Sequence, residues 1–574
     1  MIANLNTKRT WCLPVVDESQ VKKLAKDLDV SEAVAQVYMV RGLNDFLAFE
    51  EFCDVSATRI HDPYLLPDMK PAVDRLAEAI TNNKLITVIG DGDCDGVCST
   101  ALAVYALRAL NANVKWHVPN RLNDGFGLSE KSIEIAKGQG SSLVVSVDCG
   151  IEALRTAEYA RSIGMDLIIT DHHEPRQDGF IPDCVACINP KRKNSLYPFP
   201  HLAGVGVAFK FMLALCERLG CEMEQVFNEL IEFVAIGTCA DVVSMTGENR
   251  VLVDYGCKEL SKTSKAGLKK LKESANVKRV DSESIGYSIA PLINASCRLG
   301  EPYVGVLLLL ESDDTKAEFH AQYLKELNSE RKTLQDDLLH YITDLAPMED
   351  AEKNIQFYAG RDWHRGLIGL VAGNLTSSCG KPSFVCSIEA DGTVFGSCRS
   401  SCAFNVLEAL NYSNDLLSSY GGHKQAAGFK LQIDNLELFE KRLIDYTDQV
   451  PGEVSANQML EIDAEIDFTK ISMETYSALA NLAPFGHENP QPILYTPGLV
   501  VLKATAFSGG KHLNLLLTDA RNKKTVSAIG WNMGHLFDHF GRGVVVDVVH
   551  SLQLDAYWGK ETLRLRIVDI ECAK

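Results

Sequence analysis

A chain of 574 residues, 46% apolar and 23% charged, has the composition of a soluble globular protein and the length of several domains. Its formal net charge of −19, from 57 basic and 76 acidic residues, argues against a protein that coats duplex nucleic acid through a general basic surface. It leaves room for an enzyme that grips a few phosphates locally, because bound cations would neutralise part of the acidity. No uncharged apolar run reaches the roughly 18 residues of a membrane span, and MIANLNTKRTWCLPVVDESQ contains no apolar signal core, so the expectation is a cytoplasmic protein with no membrane association. The 17 scattered cysteines fit reduced thiols; Cys184 and Cys187 form a CxxC but no second CxxC or HxxxH accompanies it, so they read as ordinary thiols.

In chain order, residues 1–80 read as a helical N-terminal extension with little chemistry. Over 81–311 the short β-rich runs LITVIG, SLVVSV, DLIIT and FVAIGT alternate with helical candidates such as SIEIAKG and IEALRTAEYARSIG. Strand alternating with helix predicts an α/β domain with a parallel sheet covered on both faces, whose ligands bind beyond the carboxyl ends of the strands. A long connecting helix is predicted over 312–346. Ser312 or Asp313 can cap it, and Leu324, Leu327, Leu334, Leu338, Ile342 and Leu345 recur at helical spacing. A second α/β domain follows over 347–452. The remainder, 453–574, has short strands punctuated by SGGKH, DARNKKT and GRG, which predicts a small antiparallel barrel of the oligonucleotide-binding type. Its candidate strand contacts are Lys503, Phe507, Lys511, His512, Trp531 and Trp558; each aromatic taken singly reads equally as core.

The chemistry concentrates in acidic clusters placed directly after apolar runs: Asp91, Asp93 and Asp95 in GDGDCDG, Asp148 in VDCG, Asp171-His172-His173 in TDHHE, and Asp241 in GTCADVV. In an extended segment the alternation of GDGDCDG would put three carboxylates on one face. Three carboxylates that close repel by several kcal/mol, on the order of ~4 at intermediate dielectric, unless cations hold them. Oxygen ligands plus imidazole from several strand ends suit a two-metal site for phosphodiester or phosphoanhydride hydrolysis. An EF-hand is disfavoured, because Leu102 stands where that loop needs its bidentate Glu.

The order DxDxDG, VDCG, DHH and GTxAD resembles the DHH phosphoesterase superfamily. The wider chain, from about Leu85 onward, is similar to its RecJ branch, the bacterial single-strand-specific 5′→3′ DNA exonucleases. The segments carrying that similarity are HVPNRLNDGFGLS (117–129), YPFPHLAGVGVAFK (197–210), NASCRL (294–299), LNSERK (327–332), WHRGLIG (363–369), GSCRSS (396–401), GGHKQAAG (421–428) and PFGHENP (484–490).

The resemblance implies a DHH domain, a DHH-associated domain and a terminal oligonucleotide-binding barrel. It implies Mn²⁺ or Mg²⁺, two ions, held by Asp93, Asp95, Asp148, His172 and Asp241, with Asp148 bridging and Asp91 beside them as an outer or additional ligand. Asp171 would support His172, and His173 would hold the scissile phosphate. Arg121, Arg298, Arg399 and His423 are implied substrate contacts, while Gly421, Gly422 and Gly428 would admit the nucleic-acid backbone. Cys297 departs from the family's NAxGR, which bears on the backbone around Arg298; Cys94 and Cys149 read as neighbours of the ligands. The implied activity is release of 5′-mononucleotides from single-stranded DNA in repair and recombination, by a monomer working with single-strand-binding protein and a helicase. The rivals are a small-molecule DHH phosphodiesterase or pyrophosphatase, against which the barrel counts, and a non-catalytic DNA-binding scaffold, against which the intact acids and histidines count.

Overall fold

The computed structural model describes residues 9–122, 124, 127–345, 353–401, 404–450, 459–519, 524–555 and 561–573. Trp558 and parts of the 117–129 and 519–525 segments lie outside the described residues. The chain divides into two compact units. One comprises Ile60–Ser244 and Val251–Gln458, the other Arg9–Arg59, Met245–Arg250 and Met459–Lys574.

The first unit holds the five-stranded parallel sheet that the alternating runs predict, in the order Val114–His117, Ile86–Gly90, Leu143–Val147, Asp166–Thr170, Ala186–Ile188. Every position of Ile86–Gly90 and Leu143–Val147 is buried. Helices cover both faces, which is why these strands are continuous apolar runs and do not alternate. The predicted helices are present as Glu130–Gly138 and Leu154–Ser162. FVAIGT is a correction. It forms the last turns of the 18-residue helix Met223–Ala240, where Phe233, Val234, Ala235, Ile236 and Gly237 are all buried. A short apolar run buried on every side has no period that separates strand from helix, so Asp241 follows a helix and not a strand.

The connector is a single helix, Asp314–Leu345. Asp313 caps it, accepting from Lys316 N at 2.9 Å. Leu324, Leu327 and Ile342 are buried, whereas Leu334 faces solvent. The second lobe of this unit is a mixed five-stranded sheet in the order Leu417–His423, Ala426–Gln432, Thr393–Arg399, Ser383–Ile388, Gln356–Arg361, with only the last pair parallel.

The second unit is built on a closed five-stranded barrel. Strands Leu494–Phe507, His512–Thr518, Thr525–Gly530, Thr562–Cys572 and Val545–Asp555 run in that order, and the last pairs back onto the first. Closure removes the free edges of the sheet. Arg9–Arg59 does not stand apart as an extension. Val34, Val37 and Tyr38 join the same core as Ile466, Ile471 and Leu479, and Tyr38 Oη donates to Ala478 O at 2.6 Å.

His550 is fully buried in the barrel, its Nε2 2.9 Å from Thr496 Oγ1 and its Nδ1 without a partner. Burial holds its pKa down to about 3. The folded barrel therefore binds fewer protons than the unfolded chain. The stability this confers is complete above about pH 6.5 and is lost as pH falls toward the folded value, about 2 kcal/mol of it by pH 5. His550→Gln is expected to flatten that slope, read as amide-exchange protection of Val545–Asp555 between pH 7 and pH 5; an unchanged slope contradicts the assignment.

Candidate metal centre

The site begins where Ile86–Gly90 ends. Asp91 occupies the turn, and Asp93 is the extended N-cap residue of the helix Cys94–Ala109, accepting from Gly96 N at 3.1 Å. Asp95 already lies in the first helical turn. The segment is thus not extended throughout, and the three carboxylates converge through a strand-to-helix turn, not by strand alternation. Asp95 is buried against the N-terminus of a second helix, Gly204–Arg218, accepting from Gly204 N at 2.7 Å and Val205 N at 2.9 Å. A helix N-terminus offers free N–H groups to an anion. Asp91 and Asp93 share one guanidinium: Arg121 Nη2 lies 2.5 Å from Asp91 Oδ2 and 2.8 Å from Asp93 Oδ2. Arg121, a predicted substrate contact, is thereby engaged by the acids themselves.

Asp148 follows Leu143–Val147 with φ of 60°, a left-handed conformation uncommon for a residue with a Cβ. Its Oδ1 is buried without a hydrogen-bond partner, and so is Oδ2 of Asp241. Asp241 sits at the C-cap of Met223–Ala240, the negative end of the helix dipole, where a carboxylate is unfavourable without a cation. Between the two lies His172, its Nε2 3.3 Å from Asp148 Oδ1 and 3.6 Å from Asp241 Oδ2. Asp171 is buried and spends its oxygens on Ile151 N, His172 N, His173 N and, at 2.7 Å, His173 Nδ1. That last bond orients the His173 ring, whereas Asp171 holds His172 through its backbone N–H at 2.7 Å.

The donors fall into three groups within 4.8 Å: Asp91, Asp93 and Asp148; Asp95, His172 and Asp241; Asp148, His172 and His173. Asp148 and His172 each recur in two of them and so link the groups into one cluster. Burial, then the charges of Asp241 and Asp93, push the Asp95 carboxyl well above its usual range; burial and the neighbouring aspartates do the same to Asp148. Burial holds the His172 imidazole below its ordinary value, the neutral form a metal requires. Burial also opposes charge on His173, but the hydrogen bond and charge of Asp171 prevail and raise it to about 9. His173 is therefore suited to an anion, while His172 is suited to a cation. Orphaned carboxylate oxygens, repelling acids and a neutral imidazole fit hard divalent ions. Cys94 and Cys149 lie outside all three groups.

Arg298 ends the helix Ala290–Arg298 and donates Nη1 to Gly366 O at 3.3 Å; Arg399 donates to Ser397 Oγ at 3.1 Å and to Cys398 O at 2.8 Å. Both use neutral partners. Burial, then the like charges of Arg121 and Arg399, lower the pKa of Arg298. Cys297 is an ordinary buried helical residue donating to Ile293 O, so the backbone at Arg298 needs no glycine. In the second lobe, Gly421 and Gly428 are cross-strand partners. A Cβ at Gly428 would meet its nearest neighbour at 3.7 Å, and one at Gly421 would meet nothing within 4 Å. The pair leaves a strip of bare backbone ending at exposed His423. Gly422 serves the hairpin itself, with φ of 142° and Ala426 O 2.4 Å from where a Cβ would lie.

Two residues without an assigned role in the sequence reading complete the centre. Asn294 Oδ1 accepts from Cys94 N at 3.0 Å and so fixes the turn bearing Asp93 and Asp95. Gly204 faces Asp148: a Cβ there would lie 2.1 Å from Asp148 Oδ1. The motif segments contain both residues, but only the tertiary contacts reveal what they face. On the barrel, His512 lies 5.1 Å from Phe507 and 4.8 Å from Trp531, centroid to centroid, and both larger rings are partly exposed.

Three family models match the chain: the DHH family N-terminal domain over 85–238, the DHHA1 domain over 352–449 and the RecJ OB domain over 462–569. The single-stranded-DNA-specific exonuclease RecJ of Bacillus subtilis is 31% identical over 98% of this chain and 71% of its own length. That of Escherichia coli is 31% identical over 88% of this chain and 90% of its own. The crystal structure of RecJ from Thermus thermophilus in complex with Mn²⁺ superposes with a TM-score of 0.82, at 28% identity, over 99% of this chain and 80% of that one. With relatives above 30% identity along nearly its whole length and each of its three family domains accounted for, the chain belongs to the RecJ family of the DHH phosphoesterases.

Proposed function

We propose that this protein is a metal-dependent, single-stranded-DNA-specific 5′→3′ exonuclease that releases 5′-mononucleotides in DNA repair and recombination. The observation that carries the reading is the juxtaposition of orphaned carboxylates with His173 and with two arginines that have neutral partners. Asp93, Asp95, Asp148, His172 and Asp241 would hold two Mn²⁺ or Mg²⁺ ions, with Asp148 shared. Asp91, which accepts from Arg121 and Gly92 N, anchors the turn beside them and is the outer or additional ligand of the set. When bound, the ions supply charge compensation at the phosphoryl oxygens and a more acidic water.

The chain's own groups do the rest. Asp171 holds His173 by Nδ1, which leaves Nε2 to donate to a non-bridging oxygen of the scissile phosphate. Arg298 and Arg399 take the neighbouring phosphate and fix the strand's register. The bare strip at Gly421 and Gly428 lets the DNA backbone lie close, with His423 at its end. The Phe507, His512 and Trp531 rings offer bases a stacking surface whose affinity does not depend on sequence. The reading carries with it a monomer in the cytoplasm, supplied with single strands by a helicase and single-strand-binding protein. Among the described residues no helix is long and apolar enough to cross a membrane.

The test uses single-stranded and duplex DNA labelled at either end, with Mn²⁺ or with chelator. Mononucleotides are expected from the 5′ end of the single strand alone, and only with the metal. Release from the 3′ end, or equal digestion of duplex, overturns the proposal. Hydrolysis restricted to dinucleotides would favour a small-substrate enzyme instead.

A further inference from the structure

The turn at 363–367 of the second lobe reaches the metal loop of the first. Arg365 Nη2 donates to the carbonyl of Leu122 at 2.6 Å. Leu122 directly follows Arg121, whose guanidinium holds Asp91 and Asp93. Arg365 is itself fixed on two sides: its guanidinium lies over the Phe395 ring, 4.3 Å from the centroid, and its Nε is 3.3 Å from Glu389 Oε1. The other end of the Arg121 loop belongs to the first lobe, where Asn120 Nδ2 donates to Gly300 O at 2.8 Å and Asn120 Oδ1 accepts from Leu122 N at 2.9 Å. Next to Arg365, Gly366 accepts from Arg298, and a Cβ there would lie 2.1 Å from Arg298 O, so the two lobes meet at backbone distance.

We infer that Arg365 is a positioning residue: from the second lobe it holds the Arg121 loop in place and so sets the geometry of Asp91 and Asp93 in the metal centre. A guanidinium pinned by a ring and a carboxylate has little freedom left, and that rigidity passes to the carbonyl it grips. The inference rests on reading the acidic cluster as the metal centre. It makes the second lobe a support for metal binding as well as a wall for DNA.

The test is Mn²⁺ binding to the full-length protein without DNA, by titration calorimetry and by the electron paramagnetic resonance of free Mn²⁺. Outer contacts of metal sites commonly govern 10–100-fold in affinity, and this one acts through a further residue, so Arg365→Ala is expected to weaken Mn²⁺ by roughly 3–10-fold. The Mn²⁺ concentration for half-maximal nuclease activity should rise in step, while KM for single-stranded DNA at saturating Mn²⁺ stays within about twofold. Arg365→Lys, which keeps one donor for Leu122 O but not the planar fork, should recover part of the affinity. Glu389→Gln, which loosens one support of Arg365 but leaves its bond to Leu122 in place, should weaken Mn²⁺ clearly less than Arg365→Ala does. Unchanged Mn²⁺ binding in Arg365→Ala, or equal weakening in Glu389→Gln, overturns the inference. A parent protein that binds no Mn²⁺ overturns the metal-centre reading itself.

Discussion

Asp148→Asn is expected to abolish nuclease activity, by at least ~10³-fold, and at the same time to make the metal-free protein more stable. The two effects share one cause. The Asp148 carboxyl is buried, faces other aspartates and leaves Oδ1 without a partner, so its pKa stands well above the usual carboxylate range. A carboxyl whose folded pKa is raised favours folding below its unfolded value, near pH 4, and costs stability as pH rises through the folded one. At neutral pH the metal-free protein therefore carries strain that an amide of the same shape removes. Divalent ions held at the proposed centre would relieve the same strain in the parent. The parent's melting temperature should thus rise on adding Mn²⁺, whereas Asp148→Asn should begin higher and respond little. The loss of activity would follow because a carboxylate proposed to hold the ions is gone. A variant that melts lower than the metal-free parent, or that keeps activity in Mn²⁺, contradicts the assignment of Asp148 to the centre of the site.

The acids are legible in the sequence because the strands that deliver most of them are buried on both faces. Ile86–Gly90, Leu143–Val147 and Asp166–Thr170 are short, mostly apolar and almost wholly buried, and an aspartate directly after such a run needs a reason. The same signal misplaced Asp241. Its apolar run is equally buried but helical, and burial on all sides erases the period that would distinguish the two. The alternation of DxDxD is an incomplete reason for the convergence of these carboxylates, since the chain turns from cap to helix at Asp93 and Cys94. Contacts distant in sequence were beyond reach. Nothing local links Arg121 to Asp91, Asn294 to Cys94, or Tyr38 to Ala478. Each pairing exists because an independent piece of fold brings two segments together, and a single sequence carries no record of that. The barrel rings were ambiguous for a different reason. An aromatic on a barrel strand suits core and surface alike, and only exposure separates Phe507 and Trp531 from the buried residues beside them.

Gly204 shows how such a contact can decide function without chemistry of its own. It opens the helix Gly204–Arg218, donates its N–H to Asp95 Oδ2, and lies so close to Asp148 that a Cβ would fall 2.1 Å from Oδ1 and 2.5 Å from Cγ. Neither carboxylate can retreat. Asp148 is held by a left-handed backbone, and Asp95 by two N–H bonds to this same helix. Gly204→Ala must therefore push Asp148 or tilt the helix, and either moves two carboxylates of the proposed metal centre together. A displacement near 1 Å at a catalytic centre costs about 10²-fold, so a loss of at least that size is expected, and raising Mn²⁺ should not restore it. Gly206, two residues on, is the control. A Cβ there meets its nearest neighbour, Leu202 Cδ2, at an ordinary 3.4 Å. Gly206→Ala should keep activity and gain as much as ~1 kcal/mol from the better helix former. Measured side by side, similar activities of the two variants would show that Gly204 is present for the helix and not for Asp148. A collapse confined to Gly204→Ala, with both proteins folded, would place the missing methyl group within the requirements of the reaction.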